Sequence, residues 1–233
     1  MDDFEKSLNT VPQENGLSTV RTNEELMKMY KESAKVGSAN IGTGIPYLKI
    51  HSAGRSDKNV LANGEEPKDG HFYYKPTKQS FETIECHILS ISKGFYADGY
   101  KGKKHVFNQI LAGLIQTEGD LLPFIMHFTG TRLNKMWEFG KEASQYTKNK
   151  ELPIPMFALT VKLSTEKLKT EYGSNWIINF EIKRYEDGSP VVILDPILFS
   201  KIRDRVETVE NSIEELVEMK RTDDEDYSPS PAL

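Results

Sequence analysis

A mostly β fold with added helices is predicted by two observations. Six segments, YLKIH, HFYYK, FETIECHILSIS, LLPFIMHF, IPMFALTVKLS and NWIINFEIKR, are rich in β-branched and aromatic residues and are separated by Gly, Asn, Asp or Pro clusters. One helical stretch, TRLNKMWEFGKEASQY, interrupts them where a Greek-key barrel commonly carries a helix. The expected architecture is an OB-like Greek-key β-barrel with an inserted helix, an N-terminal helix and a long C-terminal helix.

The elements follow in chain order. Residues 1–44 read as an extension; within it TNEELMKMYKESAK opens on Thr22 with Glu25 three positions on, a capping box that satisfies two orphan helix donors. The connector GSANIGTGIP is glycine-rich, but no Gly-Lys-Ser/Thr follows, so a phosphate loop is not expected. Residues 45–194 hold the strands. In the last of them Trp176, Ile178, Phe180 and Ile182 alternate with Asn179, Glu181 and Lys183, so one face packs and the other meets solvent or ligand. Leu133, Met136, Trp137 and Gly140 share helical spacing on the inserted helix, and both Trp137 and Trp176 are expected in the core. Residues 195–220 form the last helix: Asp195 caps it, Pro196 takes the first position, and Leu198, Ile202, Val206, Val209, Ile213 and Leu216 make one stripe. That stripe is expected to pack on the barrel, with pairing to another copy as the alternative.

Residues 221–233, RTDDEDYSPSPAL, cannot fold. Asp223, Asp224, Glu225 and Asp226 repel one another, and prolines break helix and ladder alike. Too little apolar surface remains to offset the roughly 1–2 kcal/mol per residue of backbone ordering.

With 233 residues and 26.5 kDa, the chain is long enough for one large or two small domains with a real core. A hydrophobic content of 37% and a charged content of 28% describe a soluble protein. No stretch approaches the ~18–20 apolar residues of a membrane span, and MDDFEKSLNT is too acidic and polar for a secretory signal; the expected location is the cytoplasm, the host's if the protein is viral. The net charge of −5 hides a segregation. Residues 99–184 carry 13 Lys and Arg against 8 Asp and Glu, while residues 195–233 carry 5 against 11. A basic middle and an acidic end point to a polyanion partner and an internal competitor for it.

Catalytic constellations are not evident. The five histidines show neither His-x-x-x-His nor His-Glu-x-x-His spacing, and no Gly-x-Ser-x-Gly elbow exists. Cys86 is the only cysteine, which excludes an internal disulfide and argues against a Cys-based zinc site. Its neighbour His87 points to the opposite face of a strand, so the pair is expected to be a buried thiol and a surface imidazole. No enzyme, metal or cofactor is expected.

Binding features are stronger. GFYADGYKGKKHVFNQ packs Phe95, Tyr96, Tyr100 and Phe107 around Lys101, Lys103, Lys104 and His105, and reads as a long hairpin connection. Aromatic rings offer base-stacking platforms worth roughly 1–3 kcal/mol each, and interleaved lysines follow phosphates without reading sequence. Arg132, Lys135, Lys141, Lys148 and Lys150 along the inserted helix, and Lys162, Lys167 and Lys169 about the last two strands, are candidates for the other walls of a groove. Phe72, Tyr73 and Tyr74 are consecutive in a strand, so at least one is expected to face outward, and Tyr73 is a candidate stacking position.

Within residues 45–184 the order of elements resembles a group of phage and mobile-element proteins, small OB-fold proteins associated with single-stranded DNA binding. The likeness rests on a Gly-Asp-Leu-Leu-Pro strand (Gly119 to Pro123), a Thr-x-Leu helix start (Thr131, Leu133) and two apolar strands joined by a Lys-rich hairpin. Some members carry a cysteine cluster before that strand; residues 99–118 contain none here, which removes any implied zinc. The tail resembles the acidic C-termini of single-stranded DNA-binding proteins, which recruit replication partners such as a polymerase, primase or helicase, although Leu233 stands where those tails often end in Phe. The expected function is sequence-independent coating of single-stranded DNA in replication or recombination, with a homo-oligomer possible. A strand-annealing protein and a viral structural or adaptor protein are the alternatives.

Overall fold

The computed structural model describes residues 44–53, 59–98, 105–118, 120–149, 153–170 and 173–221, all within the unit Ile41–Leu233. The expected N-terminal helix and the acidic tail lie outside the described residues. Among those described, the strands are β1 (Leu48–Ile50), β2 (Phe72–Tyr74), β3 (Gln79–Phe81), β4 (Ile84–Ile91), β5 (Phe95–Ala97), β6 (Val106–Gln116), β7 (Leu121–Thr129), β8 (Val161–Thr170) and β9 (Gly173–Ile182). The helices are α1 (Thr131–Thr147) and α2 (Pro196–Lys220), with a 3-10 turn at Met156–Ala158.

The fold is mostly β and antiparallel, but it is not a closed barrel. β1, β2 and β3 form one sheet; the other six strands form a second, ordered β5-β6-β4-β8-β9 with β7 on β6. At the β9 end of the large sheet, Arg132 of α1 donates from Nε to the Trp176 carbonyl at 3.0 Å. On the β7 side, the small sheet's approach is limited to the parallel bridge of Tyr47 with Ile125, through Ile125 N–H to Pro46 O at 2.9 Å.

β6 organises the sheet, and the sequence reading missed it as a strand. Of its 11 residues, those from Asn108 to Gln116 pair with β7, and its other edge pairs first with β5 and then with β4. Leu111 and Ile115 enter a core with Cys86, Ile88, Phe124, Met126 and Phe128. Ile110, Ala112 and Leu114 enter the opposite core with Leu89, Ile125, Ile202, Val209 and Ile213. A strand buried on both faces has no polar alternation to display, so VFNQILAGLIQ reads as the end of a connection.

The two helices cover opposite faces. Leu133, Met136, Phe139 and Ala143 of α1 are buried in the first core, to which the small sheet adds Leu48, Phe72 and Tyr74. α2 closes the second core with Ile202, Val209 and Ile213, and Asp195 Oδ1 accepts the Ile197 N–H at 2.8 Å, as an N-cap should. IPMFALTVKLS starts as a strand only after the 3-10 turn that Pro155 precedes, at Val161.

His87 also departs from expectation, being 1% exposed and not on the surface. It does point away from Cys86: the thiol lies in the first core, where burial raises its pKa, and His87 Nδ1 lies 3.2 Å from the Leu159 carbonyl. Burial holds His87 below the usual histidine range, and burial followed by the charge of Lys220 lowers His127 to about 4. In the unfolded chain both take protons near pH 6.5 or so, whereas folded they resist. Stability is therefore complete above that value and is lost as pH falls toward about 4, the folded value of His127. Thermal melts between pH 7.5 and 4 should show a falling Tm, and His127→Gln should flatten the lower part of that slope; a flat wild-type profile would contradict it.

Candidate nucleic-acid interface

Three aromatic side chains meet on the surface where the β5–β6 hairpin borders α1. Tyr96 and Phe107 are cross-strand partners with ring centroids 5.4 Å apart, edge to face. Phe107 in turn lies 6.2 Å from Trp137, again edge to face. Gly94 makes room for this: a Cβ there would collide with the tip of the Phe107 ring.

Trp137 is held rather than loose. Its Nε1–H donates to Gln109 Oε1 at 2.6 Å, and Gln109 Nε2 donates to the Ser92 carbonyl at 3.0 Å. Yet the residue is 45% exposed, so the expectation of a core tryptophan is corrected. The buried stripe of α1 runs through Leu133, Met136, Phe139 and Ala143, which leaves Trp137 and Gly140 on the rim. Trp137, Lys141, Ser144 and Lys148 follow one another at helical spacing along that rim, with Lys141 and Lys148 exposed and no acid among the four.

The other predicted site residues divide. Phe95, 4% exposed, is packed in the core that α2 covers, opposite to Tyr96. Tyr73, expected outside, is 5% exposed because the segment preceding β2 folds over it, its hydroxyl donating to the Val60 carbonyl at 2.9 Å. Its neighbours Phe72 and Tyr74 are buried too. His105 enters β6 in a left-handed conformation, φ 54°. Tyr100, Lys101, Lys103, Lys104 and Lys150 lie outside the described residues, as do Asp223, Asp224, Glu225, Asp226 and Leu233.

The remaining cations do not form one wall. Lys135 pairs with Glu138 at 3.0 Å. Lys162 stands between its cross-strand neighbours Glu85 and Glu181. Strand alternation turns Lys167 and Lys169 to the other face. There Lys167 pairs with Asp69 at 3.1 Å and sits 5.3 Å from the Trp176 ring centroid. Asp69 also accepts from Ala53 N–H and Trp176 Nε1–H; the Ala53 bond leads in holding its carboxyl below the usual range, and burial opposes it. This cluster fastens the loop before β2 to β9, and Trp176 is half-buried within it.

The chemistry available on the Trp137 surface is stacking and phosphate neutralisation. Among the described residues no group of three or more His, Cys, Asp or Glu could hold a metal ion. No described helix is long and apolar enough to cross a membrane. Comparison with protein-family models, curated proteins and solved structures finds no match. The class defined by the fold is thus an open antiparallel sheet between two helices, bearing an exposed aromatic cluster beside lysines.

Proposed function

We propose that the protein is a non-enzymatic single-stranded DNA-binding protein that coats DNA with little sequence preference during replication or recombination, in a phage or mobile element. The observation that carries the reading is the Tyr96–Phe107–Trp137 cluster: a half-exposed tryptophan fixed by a hydrogen bond, next to a lysine stripe and a hairpin whose sequence is rich in lysine. Exposed rings of this kind suit base stacking, and the lysines suit phosphates. An OB-like Greek-key ancestry of the open sheet belongs to the same proposal and carries none of its binding chemistry. The acidic tail would recruit replication proteins and compete with DNA for the lysines.

Titration of tryptophan fluorescence with oligothymidine at two salt concentrations tests this. Micromolar or tighter binding is expected, weakening by about 0.7 log units per phosphate contacted for each log unit of salt. A chain ending at Arg221 should bind more tightly at low salt. Absence of binding at low salt would sink the central reading, and unchanged affinity after truncation would leave the tail without a competing role.

A further inference from the structure

A second feature bordering α1 is not used by the aromatic surface. A cleft of about 290 Å³ opens between β1, β7 and the first turn of α1, lined by Tyr47, Lys49, Ser52, Asn59, His127 and Arg132, with Leu48, Ile50 and Met126 at its base. No acid is among these lining residues, and two are permanent cations. His127 is half-buried, and its covered Nε2 meets no hydrogen-bond partner among the described residues. Arg132 is oriented by its bonds to the Trp176 carbonyl and to Asn175 Oδ1, at 3.0 and 3.3 Å. The adjacent end of α1 is capped by Gly130, with no side-chain acceptor and no acid in the first turn, so the positive end of the helix dipole is left uncompensated. Lys220 adds a further cation 5.4 Å from the Tyr47 ring, and Tyr47 itself is exposed and set edge-on to His127.

We propose that this cleft is a phosphate-binding site that takes one nucleotide unit, with Lys49, His127 and Arg132 about the phosphate and Tyr47 beside the base. Its volume is near the lower bound of small-ligand sites, about 300 Å³, enough for a mononucleotide whose base projects outward. The ligand class rests on the nucleic-acid reading above, but the phosphate could equally belong to a free nucleotide, and the two sources separate experimentally.

Calorimetry on the full chain, with thymidine 5′-monophosphate, thymidine and oligothymidine as probes, provides the test. The monophosphate should bind and thymidine should not. Lys49→Gln and His127→Gln should each weaken the monophosphate by about tenfold, the loss of one charge-assisted or buried contact. Lys49 is exposed, so its variant keeps the test sound if His127→Gln fails to fold. Equal binding of thymidine, or monophosphate affinity unchanged in Lys49→Gln, overturns the cleft, whatever oligothymidine does. Monophosphate binding that depends on Lys49, without any binding of oligothymidine, supports the cleft as a free-nucleotide site and overturns the DNA-coating reading instead.

Discussion

Replacing Trp137 by alanine is expected to weaken oligothymidine binding by about five- to a hundredfold, the loss of one stacked base at roughly 1–3 kcal/mol. The fold should survive. Trp137 is half-exposed, and its removal costs one hydrogen bond to Gln109 and one ring contact with Phe107, about 1 kcal/mol of stability. Because the chain has two tryptophans, Trp176 remains as an internal reporter, and its fluorescence should respond little to DNA. Trp137→Phe should recover most of the affinity, since a ring of any kind stacks. Full affinity in Trp137→Ala would remove the aromatic cluster from the binding surface. Phe107 is a poorer probe because its ring lies over Gly94 and against the first core, so its loss mixes binding with stability.

The second large effect is on stability, at Gly113 in the middle of β6. A methyl group there would meet the His87 carbonyl oxygen at 2.7 Å and the Phe124 ring at 2.8 Å. The ring can turn a little, but the carbonyl belongs to the backbone of β4, which pairs with β6 on that edge. Gly113→Ala should therefore destabilise by about 1–3 kcal/mol, and Gly113→Val by more. Urea titration should show this as a lower midpoint, and melting as a drop of roughly 2–4 °C per kcal/mol. Gly140→Ala is the internal contrast. Nothing lies within 4 Å of a Cβ at that helical position, so alanine should stabilise by about 0.5–1 kcal/mol through helix propensity. A neutral Gly113→Ala would mean that β6 is not wedged between β4 and Phe124.

The two substitutions probe two places where the sequence misleads, and it misleads differently at each. Periodicity reports how many faces of an element are buried, and it misleads when a neighbour covers the face assumed to be free. β6 has α2 on one side and α1 with the small sheet on the other, so its residues show a continuous apolar run where alternation was sought. Tyr73 alternates correctly, yet the segment around Val60 covers the outward face. Trp137 erred in the opposite direction. Its spacing from Leu133 and Met136 fits a helix, but Phe139 and Ala143 set the phase of the stripe and leave the tryptophan at its edge.

Local chemistry was legible in the sequence wherever the cause is local. Asp195 and Pro196 start α2, and the stripe from Leu198 to Leu216 faces the sheet, because capping and helical period depend only on residues a few positions apart. The opposition of Cys86 and His87 follows equally from the strand period. The joining of Tyr96, Phe107 and Trp137 into one surface, and of Lys49, His127 and Arg132 into one cleft, was decided by tertiary structure alone. Those residues are distant in the chain, and which of them meet depends on strand order and on the side of the sheet each helix covers. The same holds for the attachment of α1 to β9: the Arg132 guanidinium donates to the Trp176 carbonyl, a long-range contact that no local pattern encodes.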